Sequence, residues 1–203
     1  MTDLLVEGIQ QLQIPLSMDA LEKIRVYLDY LAHWNKTYNL TAIKNQEEMI
    51  VKHVLDSLSA YPFVQGKHCI DVGTGPGLPG LILALALPEI KFVLLDSQIK
   101  KIQFLRRVLR EIPLENVHVC HERVENHRSS YDVILSRAFA SLSDMIQDTA
   151  HLLAPSGYFL AMKGLWPIDE IASLPDRFSV TVHPLSVPFL NAERHAVLLT
   201  SKI

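Results

Sequence analysis

The segment Asp71-Val-Gly-Thr-Gly-Pro-Gly-Leu-Pro-Gly80 is entered from Lys67-His-Cys-Ile70 and left through the apolar run Leu81 to Leu87. It reads as a buried strand, a glycine turn and a helix. Gly73, Gly75 and Gly77 allow the backbone dihedrals of a tight turn and remove the β-carbons that would hold a ligand away. A flat ligand could therefore lie against bare backbone.

What the loop lacks narrows that ligand. A pyrophosphate cradle needs free N–H groups and positive dipole at the helix start, yet Pro76 and Pro79 each delete a donor and Asp71 sets a negative charge beside the turn. The dinucleotide pattern G-x-G-x-x-G occurs from Gly75 to Gly80, but it is displaced from the strand end and holds prolines, so a dinucleotide is the weaker reading. An acid two residues before G-x-G-x-G suits a cationic ligand with an amino group. S-adenosylmethionine, with its sulfonium and ammonium, is such a ligand.

The first third of the chain has helical periodicity. Ser17 can cap a helix carrying Leu21, Ile24, Leu28 and Leu31, and a second helix is expected from Gln46 to about Ala60 with Ile50, Val54 and Leu58 on one face. Between them, His33 to Thr41 is dense in polar and aromatic groups and poor in periodicity. It reads either as a loop used for surface recognition or as a helix end with its aromatic residues tucked onto the core. Beyond residue 66, short apolar runs alternate with helical stretches. Strands are expected at Cys69–Val72, Phe92–Leu95, Val117–Cys120, Val133–Leu135 and Tyr158–Met162, giving a parallel sheet covered on both faces. Two more, around Val180–Val182 and Ala196–Thr200, are separated by prolines and a polar turn and should form an antiparallel hairpin at one edge. The expected organisation is a helical extension over residues 1–62 packed on an α/β domain over 63–203.

In an open sheet of this kind ligands gather beyond the carboxyl ends of the strands. The second strand ends in Asp96, about 20 residues or slightly more beyond the glycines, where an acid can accept both ribose hydroxyls of an adenosine. Its plain alternative is an N-cap, a task Ser97 could share. After the third strand, in His121-Glu-Arg-Val-Glu125, a glutamate could meet an adenine edge. The fourth strand delivers Arg137 and the fifth Lys163-Gly164. Two cations at that edge point to an anionic acceptor, because an arginine there is costly to desolvate without an anion or a hydrogen-bonding base.

A formal net charge of -3 does not mark a nucleic-acid binder, so such a role must come from a local patch. One exists on the expected helix Lys100 to Arg110, where Lys100, Arg106, Arg107 and Arg110 fall on one side and Ile102, Phe104, Leu105, Val108 and Leu109 on the other. A solvated helix face is the plain alternative. Lys101 lies within the apolar arc and must snorkel or find a partner. No window approaches the roughly 18 apolar residues of a membrane span, and MTDLLVEGIQ lacks the basic start of a signal peptide, so a cytoplasmic, soluble chain with no membrane role is expected. Cys69 and Cys120, the two cysteines, each lie in a strand-like run and are expected to be buried free thiols, with no metal site; His118 and His121 read as structural. Nothing in the sequence demands more than a monomer.

Absences narrow the chemistry further. No [ND]-P-P-[FY] follows the fourth strand to hold an exocyclic amine, and no cysteine stands there to attack C6 of a pyrimidine. The acceptor should need little activation. Guanine N7, with a free lone pair at neutral pH, is such an atom.

The runs HWNKTYNLTAI from His33, KHVLDS from Lys52, DVGTGPGLPG from Asp71, LLDS from Leu94, RVE from Arg123, SRAFASL from Ser136, KG at Lys163 and ERH at Glu193 together resemble the bacterial 16S rRNA guanine-N7 methyltransferase family. The likeness covers nearly the whole chain. It implies a Rossmann-like class I S-adenosylmethionine-dependent methyltransferase with a mostly parallel seven-stranded sheet, an antiparallel edge hairpin and a small helical N-terminal extension. The reaction implied is methyl transfer to N7 of one guanine in 16S rRNA, near the decoding site, on free rRNA or the small ribosomal subunit. By resemblance, Gly73, Leu78, Val124, Glu125 and Arg137 contact the cofactor; Asp71, Gly75, Gly77 and Asp96 join them from the residue-level reading. Arg137 is the candidate catalytic residue, orienting either the guanine or the cofactor's methionine moiety. Lys100, Arg106, Arg107, Arg110 and Lys163 are the candidate RNA contacts. Two other readings stay open: a small-molecule methyltransferase, and a non-catalytic ribosome-associated module that binds the cofactor.

Overall fold

The computed structural model describes residues 3–137 and 141–202. Its helices are α1 (Leu4–Leu12), α2 (Met18–Tyr38), α3 (Gln46–Met49), α4 (Asp56–Leu58), α5 (Gly80–Ala86), α6 (Ile99–Glu111), α7 (Leu142–Thr149) and α8 (Ile168–Ala172), with a π-helical segment, Ile50–Leu55, joining α3 to α4. The strands are β1 (His68–Val72), β2 (Lys91–Asp96), β3 (Val117–His121), β4 (Tyr131–Ser136), β5 (Leu153–Lys163), β6 (Phe178–Pro184) and β7 (His195–Ser201). They form one sheet in the order β3-β2-β1-β4-β5-β7-β6. The first five are parallel, whereas β7 runs antiparallel to both β5 and β6. Every expected strand falls inside one of these.

Strand order reverses between β1 and β4, which pair in parallel through Cys69–Val133, Ile70–Ile134 and Asp71–Leu135. The crevice beyond their carboxyl ends is therefore the switch point of the sheet. Alternation along these strands feeds two cores. Cys69, Val133 and Leu135 pack with Leu83 and Ala84 of α5, while Ile70, Val72 and Ile134 pack with Leu142, Met145 and Ile146 of α7. Helix α5 is buried all round, as its unbroken apolar sequence requires.

The helical first third is not a separate body. Leu5, Ile24, Tyr27, Leu28 and Leu58 share a core with Leu78 and Leu81 of the glycine segment and with Phe104 and Leu105 of α6. Ser17 caps α2, its Oγ accepting from the Ala20 N–H at 3.1 Å. Near the middle of α2, the Tyr27 hydroxyl donates to the Pro76 carbonyl at 3.1 Å, fastening this helix to the glycine loop.

One alternative is decided and two expectations are corrected. Over His33 to Tyr38 the helix-end alternative holds: α2 continues until Asn39 takes the left-handed conformation at φ 50°. Asn35 is buried there, its amide donating to the Ile43 carbonyl and accepting from the Thr41 N–H, so a polar residue occupies a core position and hides the period. Helix 46–58 does form, but with the π segment inside it. Cys69 is buried, whereas Cys120 is partly exposed, because β3 is an edge strand.

Candidate active site

Gly73, Gly75 and Gly77 all take positive φ, at 70°, 61° and 100°. The turn they form is stitched to the next strand: the Gly73 and Thr74 N–H groups both donate to the Leu95 carbonyl, and Gly75 N–H donates to Asp96 Oδ2 at 2.9 Å. The glycines divide by what surrounds them. A β-carbon on Gly73 would meet nothing within 4 Å and one on Gly75 only the Gly73 carbonyl at 4.0 Å, so neither is packed against a neighbour's side chain, and the exposed Gly73 presents bare backbone to open space. On Gly77 it would lie 2.8 Å from Leu105 Cδ2, and on Gly80 2.5 Å from Leu94 Cδ2. These two let helices close on the sheet. Leu78 is likewise buried in the core.

Asp71 is almost wholly buried, and one of its oxygens spans the loop: Oδ2 accepts from Thr74 Oγ1 at 2.7 Å and from Gly80 N–H at 2.8 Å. Burial lifts its pKa to about 6, against the lowering effect of those two donors. Its Oδ1 and the Ser136 hydroxyl are buried polar atoms with no hydrogen-bond partner among the described residues. They stand at the carboxyl ends of β1 and β4, on either side of the switch point. Two such atoms on facing strand ends are what a polar ligand seated in that crevice would satisfy.

A cleft of about 340 Å³ opens beyond β1, β2 and β3, and brings together Gly73, Asp96, Ser97, Lys101, Val124 and Glu125. Asp96 uses Oδ2 on the Gly75 N–H and the Lys101 ammonium and Oδ1 on the Gln98 N–H at 2.8 Å, which leaves a lone pair on Oδ1 for a further donor. It does not cap α6: Gln98 holds the cap position, without a side-chain bond, and Ser97 takes no part in it. Lys101 finds its partner in this acid, at 3.5 Å. Val124 and Glu125 belong to the 3-10 turn Val124–Asn126, which joins β3 to β4 where a helix is commoner.

A second cleft, about 320 Å³, lies beyond β4 and β5 and is lined by His53, Asp56, Arg137, Lys163 and Arg194 with Ile43. Asp56 is buried and holds two guanidiniums at once, accepting from Arg194 Nε at 2.7 Å on Oδ1 and from Arg137 at 3.1 Å on Oδ2. Arg137 also donates to the Lys52 carbonyl at 3.3 Å, so the candidate catalytic arginine is positioned by α4 and the π segment. One carboxylate between two arginines leaves net positive charge in the wall. Lys163 is less free than its sequence implies, because Glu170 of α8 accepts from it with both oxygens, at 2.9 and 3.1 Å. His53 donates from Nδ1 to the Lys52 carbonyl and accepts at Nε2 from the Thr41 hydroxyl at 2.8 Å. Burial and the nearby Arg137 push its pKa down to about 4, so it is neutral at pH 7.

Asp56, Arg194 and His53 were given no role by sequence reasoning, although they lie in the quoted runs KHVLDS and ERH. Their one signal is charge in otherwise apolar surroundings. Of the run SRAFASL, residues 138–140 lie outside the described residues; Ser141 caps α7 through the Asp144 N–H. On α6, Lys100, Arg106, Arg107 and Arg110 are exposed, and the Arg107 guanidinium sits 5.3 Å over the ring of Trp34, itself stacked on Tyr38.

Among solved structures, TrmN from Thermus thermophilus aligns with a TM-score of 0.57 at 18% identity over 72% of this chain and 47% of that one. A SAM-dependent methyltransferase from Aquifex aeolicus aligns at 0.55 and 15% identity over 75% and 92%. These likenesses establish the class I methyltransferase fold. Sequence relatives are much nearer. The ribosomal RNA small subunit methyltransferase G of Marinomonas sp. (strain MWYL1) is 50% identical over 98% of both chains, and that of Salmonella agona (strain SL483) is 51% identical over 88% of this chain and 87% of its own. With residues 20–197 also matching the family model described as rRNA small subunit methyltransferase G, the chain belongs to that family, GidB.

Proposed function

We propose that this protein transfers a methyl group from S-adenosylmethionine to N7 of a guanine in the 16S rRNA of the small ribosomal subunit, in the cytoplasm. The observation that carries the reading is the pairing of two unlike clefts across the switch point: one acidic and floored by bare glycine backbone, the other cationic. Bound there, S-adenosylmethionine supplies an electrophilic methyl on a sulfonium. Asp96 keeps a lone pair on Oδ1 to accept a ribose hydroxyl, Val124 and Glu125 flank the adenine side, and Gly73 and Gly75 admit the nucleoside against backbone. Asp71 Oδ1, an acceptor, and the Ser136 hydroxyl, which can donate or accept, are unsatisfied groups at the methionine end.

The acceptor needs no base. Guanine N7 carries no proton, and His53, neutral at pH 7 with both nitrogens engaged, has none to take from it. Catalysis then consists of alignment and desolvation. Because N7 must stay free to attack, donors in the cationic cleft are left O6 and the phosphates, and Arg137 is the positioning residue for that edge. Lys100, Arg106, Arg107 and Arg110, with the Trp34–Tyr38 stack beside them, supply a docking face for the surrounding RNA.

The test is methyl transfer from labelled S-adenosylmethionine to small subunits, followed by mapping of the modified base. A single modified guanine, absent with free guanosine, is expected. Equal methylation of free guanosine or a metabolite would make this a small-molecule enzyme. An unchanged N7-methylguanosine content in rRNA from cells lacking the gene would make it a non-catalytic module.

A further inference from the structure

Strand β3 leaves the sheet through Cys120-His121-Glu122, and strand alternation sends residues 120 and 122 to one side. The chain then turns through Val124–Asn126 and returns His127 to the same place. Its Nδ1 lies 2.8 Å from Glu122 Oε2 and 3.9 Å from Cys120 Sγ, and the sulfur is 3.7 Å from the same carboxylate oxygen. We propose that Cys120, Glu122 and His127 form a three-residue zinc site at the rim of the cofactor cleft, with a fourth position open to solvent.

The donor spacing fits that ion. Tetrahedral zinc, with bonds of about 2.3 Å to sulfur and about 2.0 Å to nitrogen or oxygen, sets sulfur-to-ligand edges of about 3.5 Å and a nitrogen-to-oxygen edge of about 3.3 Å. Each donor is within a few tenths of an ångström of these edges. A thiolate with an imidazole selects zinc or cobalt over magnesium or calcium. The far side of the imidazole is fixed as a ligand's should be: His127 Nε2 lies 2.7 Å from the hydroxyl of Tyr131, at the start of β4. His127 is buried, whereas Cys120 and Glu122 are partly exposed, which leaves access for an ion and a water.

Two simpler accounts fall short. A His127–Glu122 hydrogen bond explains the ring but not the thiol, whose contacts at 3.7 and 3.9 Å are weak. A nucleophilic relay fails on connectivity, since the same Nδ1 faces both thiol and carboxylate while Nε2 is taken by Tyr131. The sequence reading assigned no metal here because Cys120, like Cys69, lies in a strand-like run and reads as a buried free thiol.

Cobalt(II), followed by zinc, is the direct probe on the full-length protein stripped with a chelator. One equivalent of cobalt should produce a thiolate-to-cobalt charge-transfer band with tetrahedral d–d bands, both erased by one equivalent of zinc. Cys69 is fully buried in the sheet, so Cys120 alone can give the charge-transfer band. Cys120→Ser should abolish it while S-adenosylhomocysteine binding is retained, and His127→Gln should weaken cobalt binding at least tenfold. Absence of the band in the unmodified protein, or a band that survives Cys120→Ser, overturns the proposal; weak octahedral bands alone would mean adventitious binding by surface histidines and overturn it equally. Should Cys120→Ser not fold, Glu122→Gln, at a partly exposed position, must shift the d–d bands, and unchanged bands there sink the site.

Discussion

The two clefts flanking the switch point are made in opposite ways. The acidic one is assembled from near neighbours: Asp71, Gly73 and Gly75 lie on one turn, and Asp96 closes the adjacent strand with a direct bond to Gly75. The cationic one joins Asp56, Arg137 and Arg194, separated by 81 and 138 residues from the aspartate that unites them. A locally built cleft is held by backbone conformation, whereas a distantly built one depends on a few charged contacts. The first should yield to changes of shape, and the second to changes of charge.

The largest expected effect tests the second half of that statement. Asp56→Ala leaves two guanidiniums without their shared carboxylate in a mostly buried setting, which should cost about 3 kcal/mol or more of stability in urea unfolding. A loss below about 1 kcal/mol would mean that water compensates the arginines and that the cleft is held by packing. Asp56→Asn, which keeps acceptor oxygen, should cost less.

Acidity separates the clefts next. Asp71, near 6 against an ordinary 3.8, favours the fold when protonated, so its contribution is greatest below pH 3.8 and is lost as pH rises through 6. His53, near 4 against 6.5, favours the fold when neutral, so its contribution is full above 6.5 and lost as pH falls through 4. Each shift corresponds to about 3 kcal/mol, and in the window between they oppose each other. Unfolding of Asp71→Asn across pH 4 to 7 should therefore show a steeper loss on acidification than the parent protein, and His53→Gln a shallower one. Identical slopes in all three would remove both groups from the account.

Shape is probed by two alanines. Gly80→Ala forces a β-carbon against Leu94 and Asp71 and should cost about 2 kcal/mol of stability. Gly73→Ala has space but a strained φ, at roughly 1 kcal/mol, and should act mainly on S-adenosylhomocysteine affinity by calorimetry. If the two variants reverse these roles, the division of the glycines is wrong. The smallest effect asks whether the cationic region extends onto α6: Arg107→Glu with Arg110→Glu should weaken small-subunit binding and flatten its salt dependence without changing cofactor affinity.

The same contrast explains what the sequence revealed. The glycine turn, Asp96, the amphipathic α6 and the Ser17 cap were legible because each is a short-range pattern with one physical cause. Lys101 announced a missing partner, and Asp96 supplies it. The extent of α2 was hidden by Asn35, a polar residue whose buried amide folds 41–43 back onto the helix. Gly77 looked identical to Gly73, and the positions of Leu105 and Leu81 distinguish them. Asp56 was invisible as a clamp because neither arginine is near it in the chain, and the π segment just before it disturbs the helical count on which a facing argument relies.

The placement of β7 bears on how the molecule comes into being. During synthesis the amino-terminal parts can organise first, and everything that shapes the glycine turn has left the exit tunnel long before the last strand. Among the described residues strand β6 pairs with β7 alone, and Arg194 directly precedes β7. A nascent chain thus shapes its glycine turn early and completes the Asp56–Arg194 pair of the cationic cleft only when β7 slides between two strands already made, so the two clefts are finished at different times.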